Sequence, residues 1–188
     1  MLNVPPMSSV LVPFTTGFEE IETLAPVDIL RRAGIEVVMA SLSDSIHVTG
    51  RSGITIHADT TLAGIEQSLD FDLLLIPGGP HVKAMREDGR VAQLARDYAA
   101  ASKPVAAICA APTVLLDAGL LGEGRRFTSH VGGAEELPAR LADERVVVDG
   151  GIITSQGAAT SVDFAMTLVR QLCGDEKAAE VAKGIMLW

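Results

Sequence analysis

Short apolar runs alternate along the chain with longer stretches in which apolar residues recur every three or four positions. Val10-Leu11-Val12-Pro13-Phe14 and Ile35-Glu36-Val37-Val38-Met39-Ala40 read as two strands of a parallel strand-helix-strand unit. Leu73-Leu74-Leu75-Ile76 and Pro104-Val105-Ala106-Ala107-Ile108 are too short for helices and apolar on both faces, as buried strands are. Ile21, Leu24, Ala25, Ile29 and Leu30 stripe a helix ending at Ala33-Gly34, and Thr16 and Glu19 have the spacing of a capping box at its start. Pro26 leaves two readings of that helix. Either it kinks near Glu22, whose carbonyl loses its partner, or it begins later with Glu22 in the preceding loop. Further helices are expected over 91–98, 110–119, 135–141, from Thr160 to Cys173-Gly174, and from Glu176 to about Ile185. Residues 46–56 alternate around Gly50 and Gly53 as a small hairpin, and Asp149-Gly150-Gly151 turns a second one between 146–148 and 152–155.

This alternation predicts a doubly wound α/β sandwich, a mostly parallel sheet between helices with a hairpin late in the chain. Ligands of such sheets bind beyond the carboxyl ends of the strands. Glu22, Gly78-Gly79, Cys109 and His130 all follow predicted strands on that edge. Cys109 stands at a strand-to-helix turn, where a helix N-terminus and unpaired N–H groups favour thiolate; the alternative is a buried structural cysteine. Gly78-Gly79 brings backbone close to a ligand or forms a plain turn. His130 reads as a general base, a substrate contact or a satisfied histidine, and His81, beside Gly79, as a pocket-lining residue or a solvated helix start. His47 and His57 read as structural and Cys173 as inert.

The 188 residues show no linker and read as one domain, 1–188, and the formal charge of −9 argues against a nucleic-acid partner. The two cysteines lie far apart and outside metal-ligand spacing, so no metal site is expected and a reducing cytoplasm fits. Residues 1–9 lack Lys and Arg, and their apolar continuation is strand-length, unlike a secretory signal or a membrane span.

Five blocks taken together, Gly17-Phe18-Glu19-Glu20-Ile21-Glu22, Pro26-Val27-Asp28-Ile29-Leu30-Arg31-Arg32-Ala33-Gly34, Ile76-Pro77-Gly78-Gly79, Ala106-Ala107-Ile108-Cys109-Ala110-Ala111-Pro112-Thr113 and Thr154-Ser155-Gln156-Gly157, resemble the ThiJ/PfpI superfamily. Within it the chain is most similar to the branch of the parkinsonism-associated protein deglycase and its bacterial relatives. The resemblance implies a flavodoxin-like domain that works without a cofactor, usually as a homodimer to which the helix bearing Asp28, Arg31 and Arg32 contributes. It also implies that Cys109 is the reactive cysteine, Glu22 the carboxylate against its sulfur, Gly79 (beside Gly78) and Ala110 the oxyanion donors, and His130 a histidine near the cysteine. Ala110 stands where the protease-like branch has histidine. Ala107 and Ala111 flank an elbow that class I glutamine amidotransferases build with glycine, and Arg51-Ser52 reverses the family's Ser-Arg. Two functions follow from the resemblance. One is a cofactor-independent glyoxalase or protein deglycase acting on methylglyoxal, glyoxal or early protein adducts; the other is an oxidative-stress sensor or protective chaperone whose Cys109 oxidises to sulfinate. Both require a protonated Glu22.

Overall fold

The computed structural model describes residues 7–66 and 68–187; residues 1–6, most of the segment read above for signal or membrane character, lie outside it. Strand β1 (Ser9–Phe14) leads through α1 (Glu20–Arg32) to β2 (Glu36–Ser41), a hairpin of β3 (His47–Thr49) and β4 (Thr55–His57), and the two-residue β5 (Thr60–Thr61). Strand β6 (Leu73–Ile76) is followed by α2 (Val82–Asp88) and α3 (Arg90–Ala100), and β7 (Val105–Ile108) by α4 (Pro112–Asp117). The hairpin of β8 (Val146–Asp149) and β9 (Ile152–Ser155) then passes into α5 (Ser161–Gly184). The seven strands of the main sheet lie in the order β5-β2-β1-β6-β7-β9-β8. Every pairing in it is parallel except β8 with β9.

The apolar runs supply both faces of this sheet because side chains alternate along a strand. Val10, Val12, Leu73, Leu75, Ala106 and Ile108 pack under α1 and α5 with Ile29, Leu30, Phe164 and Leu168. Leu11, Leu74, Ile76, Val105 and Ala107 point the other way, into Met85, Val91, Tyr98, Val114 and Leu115 of α2, α3 and α4. The result is a flavodoxin-like, doubly wound sandwich. Connections leave β1 toward one side of the sheet and β6 toward the other, which opens a crevice at the carboxyl ends of these two neighbouring strands.

Several local expectations are corrected. Helix α1 runs through Pro26 and begins at Glu20, so Glu22 sits in its first turn; the N-cap is Glu19, not Thr16, and its Oε2 accepts from the Glu22 N–H at 2.8 Å. No helix forms over 135–141: a 3-10 turn at Val131–Gly133 gives way to isolated turns, with Leu137 buried. Gly132, Gly133 and Pro138 account for this, the proline ring clashing with the carbonyl a helix would place four residues earlier. The Thr160 hydroxyl does not cap α5. It accepts from Gly157 N at 3.1 Å, donates to Gly157 O at 2.8 Å and lies 2.6 Å from the Ser155 hydroxyl. Asp28 pairs with Arg32 at 2.9 Å and Arg31 with Asp59 at 2.7 Å, both on the surface.

The break expected at Cys173-Gly174 is present inside α5, where Gly174 has φ 83° and ψ 174°, a conformation nearly restricted to glycine. It turns the last helical turns so that Ala178 and Val181 are buried. Gly174→Ala is therefore expected to destabilise the protein by about 1–3 kcal/mol, measured as a thermal midpoint several degrees lower.

Candidate active site

Cys109 is the residue after β7, and its backbone is left-handed, with φ 66°. A non-glycine residue adopts this only where its surroundings over-determine it. Here Cys109 N–H donates to Ser155 O at 2.9 Å, and its carbonyl accepts from His130 N–H at 2.8 Å. The elbow lifts a half-buried thiol to the floor of a cleft of about 730 Å³ lined by Glu19, Glu22, Arg51, Gly79, Ala110 and His130, among others.

Glu22 approaches the sulfur from α1 and is 2% exposed. Its carboxyl faces Cys109 and the Ala158 N–H, while Oε2 is buried with no hydrogen-bond partner. The N–H groups of Ala110 and Gly79 are directed at the sulfur. Gly78 is required here by space alone. A Cβ at that position would collide with Glu22 Oε2 and come within 2.6 Å of Cys109 Cβ and 2.8 Å of Ile108 O. The structure thus gathers Cys109, Glu22, Gly78, Gly79, Ala110 and His130 at one edge.

Burial pushes the Glu22 carboxyl up to about 7, against the opposing pull of Cys109 and the Ala158 N–H. Burial, and then the facing Glu22, push the Cys109 thiol up to about 12, while the N–H groups of Ala110 and Gly79 act to lower it. This corrects the expectation that the turn alone favours thiolate: α4 has only six residues and contributes little dipole, whereas desolvation is large. A charge on either of the two acids therefore opposes ionisation of the other.

His130 is exposed on the cleft wall, and its Nδ1 accepts from Gly132 N–H at 3.0 Å, which leaves the ring proton on Nε2. In this tautomer Nε2–H is available as a donor. His81 is corrected more sharply: it is 2% exposed, not solvated, and does not line the cleft. The exposed rings of His47 and His57 stack edge to face on the hairpin, centroids 4.3 Å apart, and Cys173 is exposed.

Sequence reasoning missed Glu19, Ala158, Lys83 and the Arg86 cluster as parts of the cleft. The position of Gln156-Gly157 after a strand of the same edge was the available signal for Ala158. Arg86 grips Asp117 and Glu136 at 2.7 and 2.8 Å, which pins α2 to α4 and to the irregular segment after His130. Among the described residues, no group of three or more His, Cys, Asp or Glu is placed to hold a metal ion, and no helix is long and apolar enough to cross a membrane.

A carboxyl with its folded pKa raised binds its proton more tightly than in the unfolded chain, so its contribution to stability is complete below about pH 4.5 and lost as pH rises through about 7. Melts of the native protein and Glu22→Gln across pH 4.5–8.5 are expected to show the native protein losing stability relative to the variant up to about pH 7, then a constant difference. The change is on the order of 3 kcal/mol at most.

Residues 8–171 match the model of the DJ-1/PfpI family. The dj-1beta protein of Drosophila melanogaster is 38% identical over 183 residues, covering 95% of this chain and 97% of that protein. The crystal structure of Drosophila DJ-1beta superposes with a TM-score of 0.90 at 37% identity, over 97% of this chain and 99% of that one. An oxidized DJ-1 from Toxoplasma gondii gives a TM-score of 0.87 at 34% identity, over 95% and 98% of the two chains. DJ-1 homolog A of Arabidopsis thaliana is 36% identical over 95% of this chain, which spans only 46% of that longer protein. With sequence and backbone agreeing over nearly the whole length of the fly protein, the chain belongs to the DJ-1/PfpI family.

Proposed function

We propose that the protein is a glutathione-independent glyoxalase or deglycase that converts methylglyoxal, glyoxal or their early protein adducts without a cofactor. The observation that carries this reading is the half-buried Cys109 facing the buried Glu22 at the floor of an open cleft, with the Gly79 and Ala110 N–H groups directed at the sulfur. Cys109 adds through sulfur to the aldehyde carbon of methylglyoxal, and the Glu22 proton passes to the new alkoxide, giving a hemithioacetal. The Glu22 carboxylate then takes the hydrogen of that carbon. The electron pair moves to the neighbouring carbonyl oxygen, where the two N–H groups stabilise the enediolate. Glu22 returns that proton to the adjacent carbon while the hydroxyl proton of the first carbon passes to the second oxygen, which leaves a lactoyl thioester; water hydrolyses it to lactic acid and free thiol, so the net change is addition of one water. His130 Nε2–H serves as a substrate donor. The single negative charge of the pair is what makes the cycle possible, because whichever partner gives up its charge becomes the acid.

A homodimer is proposed as the working form. Ile21 on α1 and Ile54 beside the hairpin each leave 53% of their surface exposed, and a second copy would cover them.

The reaction is tested by methylglyoxal consumption and lactate formation without glutathione. The native protein is expected to turn over, while Cys109→Ser and Glu22→Gln each lose at least about 100-fold, as loss of a nucleophile or general acid/base does. No turnover by the fully reduced native protein would sink the proposal.

The second reading, a redox sensor, is favoured by the same raised Glu22 carboxyl, which can donate a hydrogen bond to a sulfinate, and by the existence of an oxidized DJ-1 among the similar structures. Peroxide converts the thiol to sulfinate with two oxygens gained and two peroxides reduced to water. Intact mass after peroxide titration is expected to show dioxygen addition at Cys109 in the native protein, and overoxidation to sulfonate or none in Glu22→Gln.

A further inference from the structure

His81 takes no part in the chemistry above, yet it is buried directly behind the Gly78-Gly79 turn. Its Nδ1 accepts from the Thr15 N–H at 3.2 Å, and Nε2 lies 3.0 Å from the Pro77 carbonyl, to which it donates. One proton and one lone pair are thereby both used, which is the full capacity of a neutral imidazole. Burial holds the ring's pKa down at about 4, so it remains neutral in ordinary buffers. Around it, His81 N–H donates to Gly17 O at 3.2 Å and Glu19 N–H donates to Gly78 O at 3.0 Å. The ring is thus the side-chain member of a seam joining the loop after β1 to the loop after β6.

What the seam joins is the reactive machinery. The first loop ends at Glu19, the N-cap that fixes the first turn of α1 and with it Glu22. The second presents the Gly79 N–H to the sulfur. The contact is close enough that a Cβ on Gly79 would lie 2.5 Å from Glu19 N and 2.9 Å from Gly17 O, so a small widening of the seam moves both groups relative to Cys109.

We propose that His81 is a positioning residue for the Cys109 site, its neutral ring holding the Thr15–Glu19 loop against the Pro77–His81 loop so that Glu22 and the Gly79 N–H meet the sulfur together. An aliphatic residue of similar volume would fill the space but strand the part-buried Thr15 N–H and free the buried Pro77 carbonyl. The inference rests on Cys109 being the reactive group of the reading above, but its test does not depend on the substrate.

The test is the rate of Cys109 alkylation by iodoacetamide against pH, read by mass spectrometry in a Cys173→Ser background beside the thermal midpoint. His81→Leu is expected to alkylate about tenfold more slowly at neutral pH, because the N–H support of the thiolate is misaligned. Asn places its amide oxygen where Nδ1 was, so His81→Asn recovers most of the rate. His81→Gln, which mimics only Nε2–H, does not. A folded Leu variant with the native alkylation profile overturns the proposal; so does a Gln variant that matches Asn, a comparison that stands even where Leu does not fold. Absence of dicarbonyl turnover in the native protein would instead count against the glyoxalase reading and leave the alkylation comparison intact.

Discussion

Two acids buried within hydrogen-bonding reach can share one negative charge at modest cost but cannot both be ionised. That constraint governs the carboxyl edge of this sheet. Glu22 must be dry for its proton to stay on near neutrality, hence its place in the first turn of α1 under the cleft floor. Gly78 must lack a side chain for that carboxyl to reach the sulfur, and Cys109 must take a left-handed backbone for the thiol to face it. The amides of Gly79 and Ala110 supply the counterweight, favouring charge on sulfur.

The sheet delivers these parts from separate strands. Glu22 follows β1, Gly78-Gly79 follow β6, Cys109 follows β7 and Ala158 follows β9, so the register of four strands sets the geometry of one pocket. Parallel pairing keeps all four carboxyl ends on one side. Rigid strands with fully buried side chains then do what a flexible loop could not, which is to hold a strained elbow in place.

Much of this was legible in the sequence because burial on both faces writes continuous apolar runs, and β6 was read to the residue from Leu73-Leu74-Leu75-Ile76. The convergence of Glu22, Gly79 and Cys109 was legible for a related reason: each follows such a run. What escaped depended on distant partners. Glu19 caps α1 although Thr16 has the better local spacing, since the chain between β1 and α1 is set by its bonds to Gly78 and His81. The 135–141 segment has helical composition but is interrupted by Pro138 and anchored by Leu137 and Arg86. His81 gave no sign of burial because the partners of its ring, Thr15 N–H and Pro77 O, are backbone atoms that any sequence would carry. The pH behaviour of Cys109 was misjudged because desolvation is a property of the packed fold, not of the turn.

The margins of the sheet carry a different lesson. One edge ends in β5, which has two residues, and the other in β8, four residues held antiparallel to β9, with the Asp149 carboxylate at its end bound by Arg125 at 3.3 Å and by the Arg126 N–H at 3.0 Å. Neither border offers a long, flat row of unpaired backbone groups on which another strand could grow. The main sheet is therefore protected against edge-to-edge polymerisation by its own geometry, and a self-associating copy meets it there through side chains.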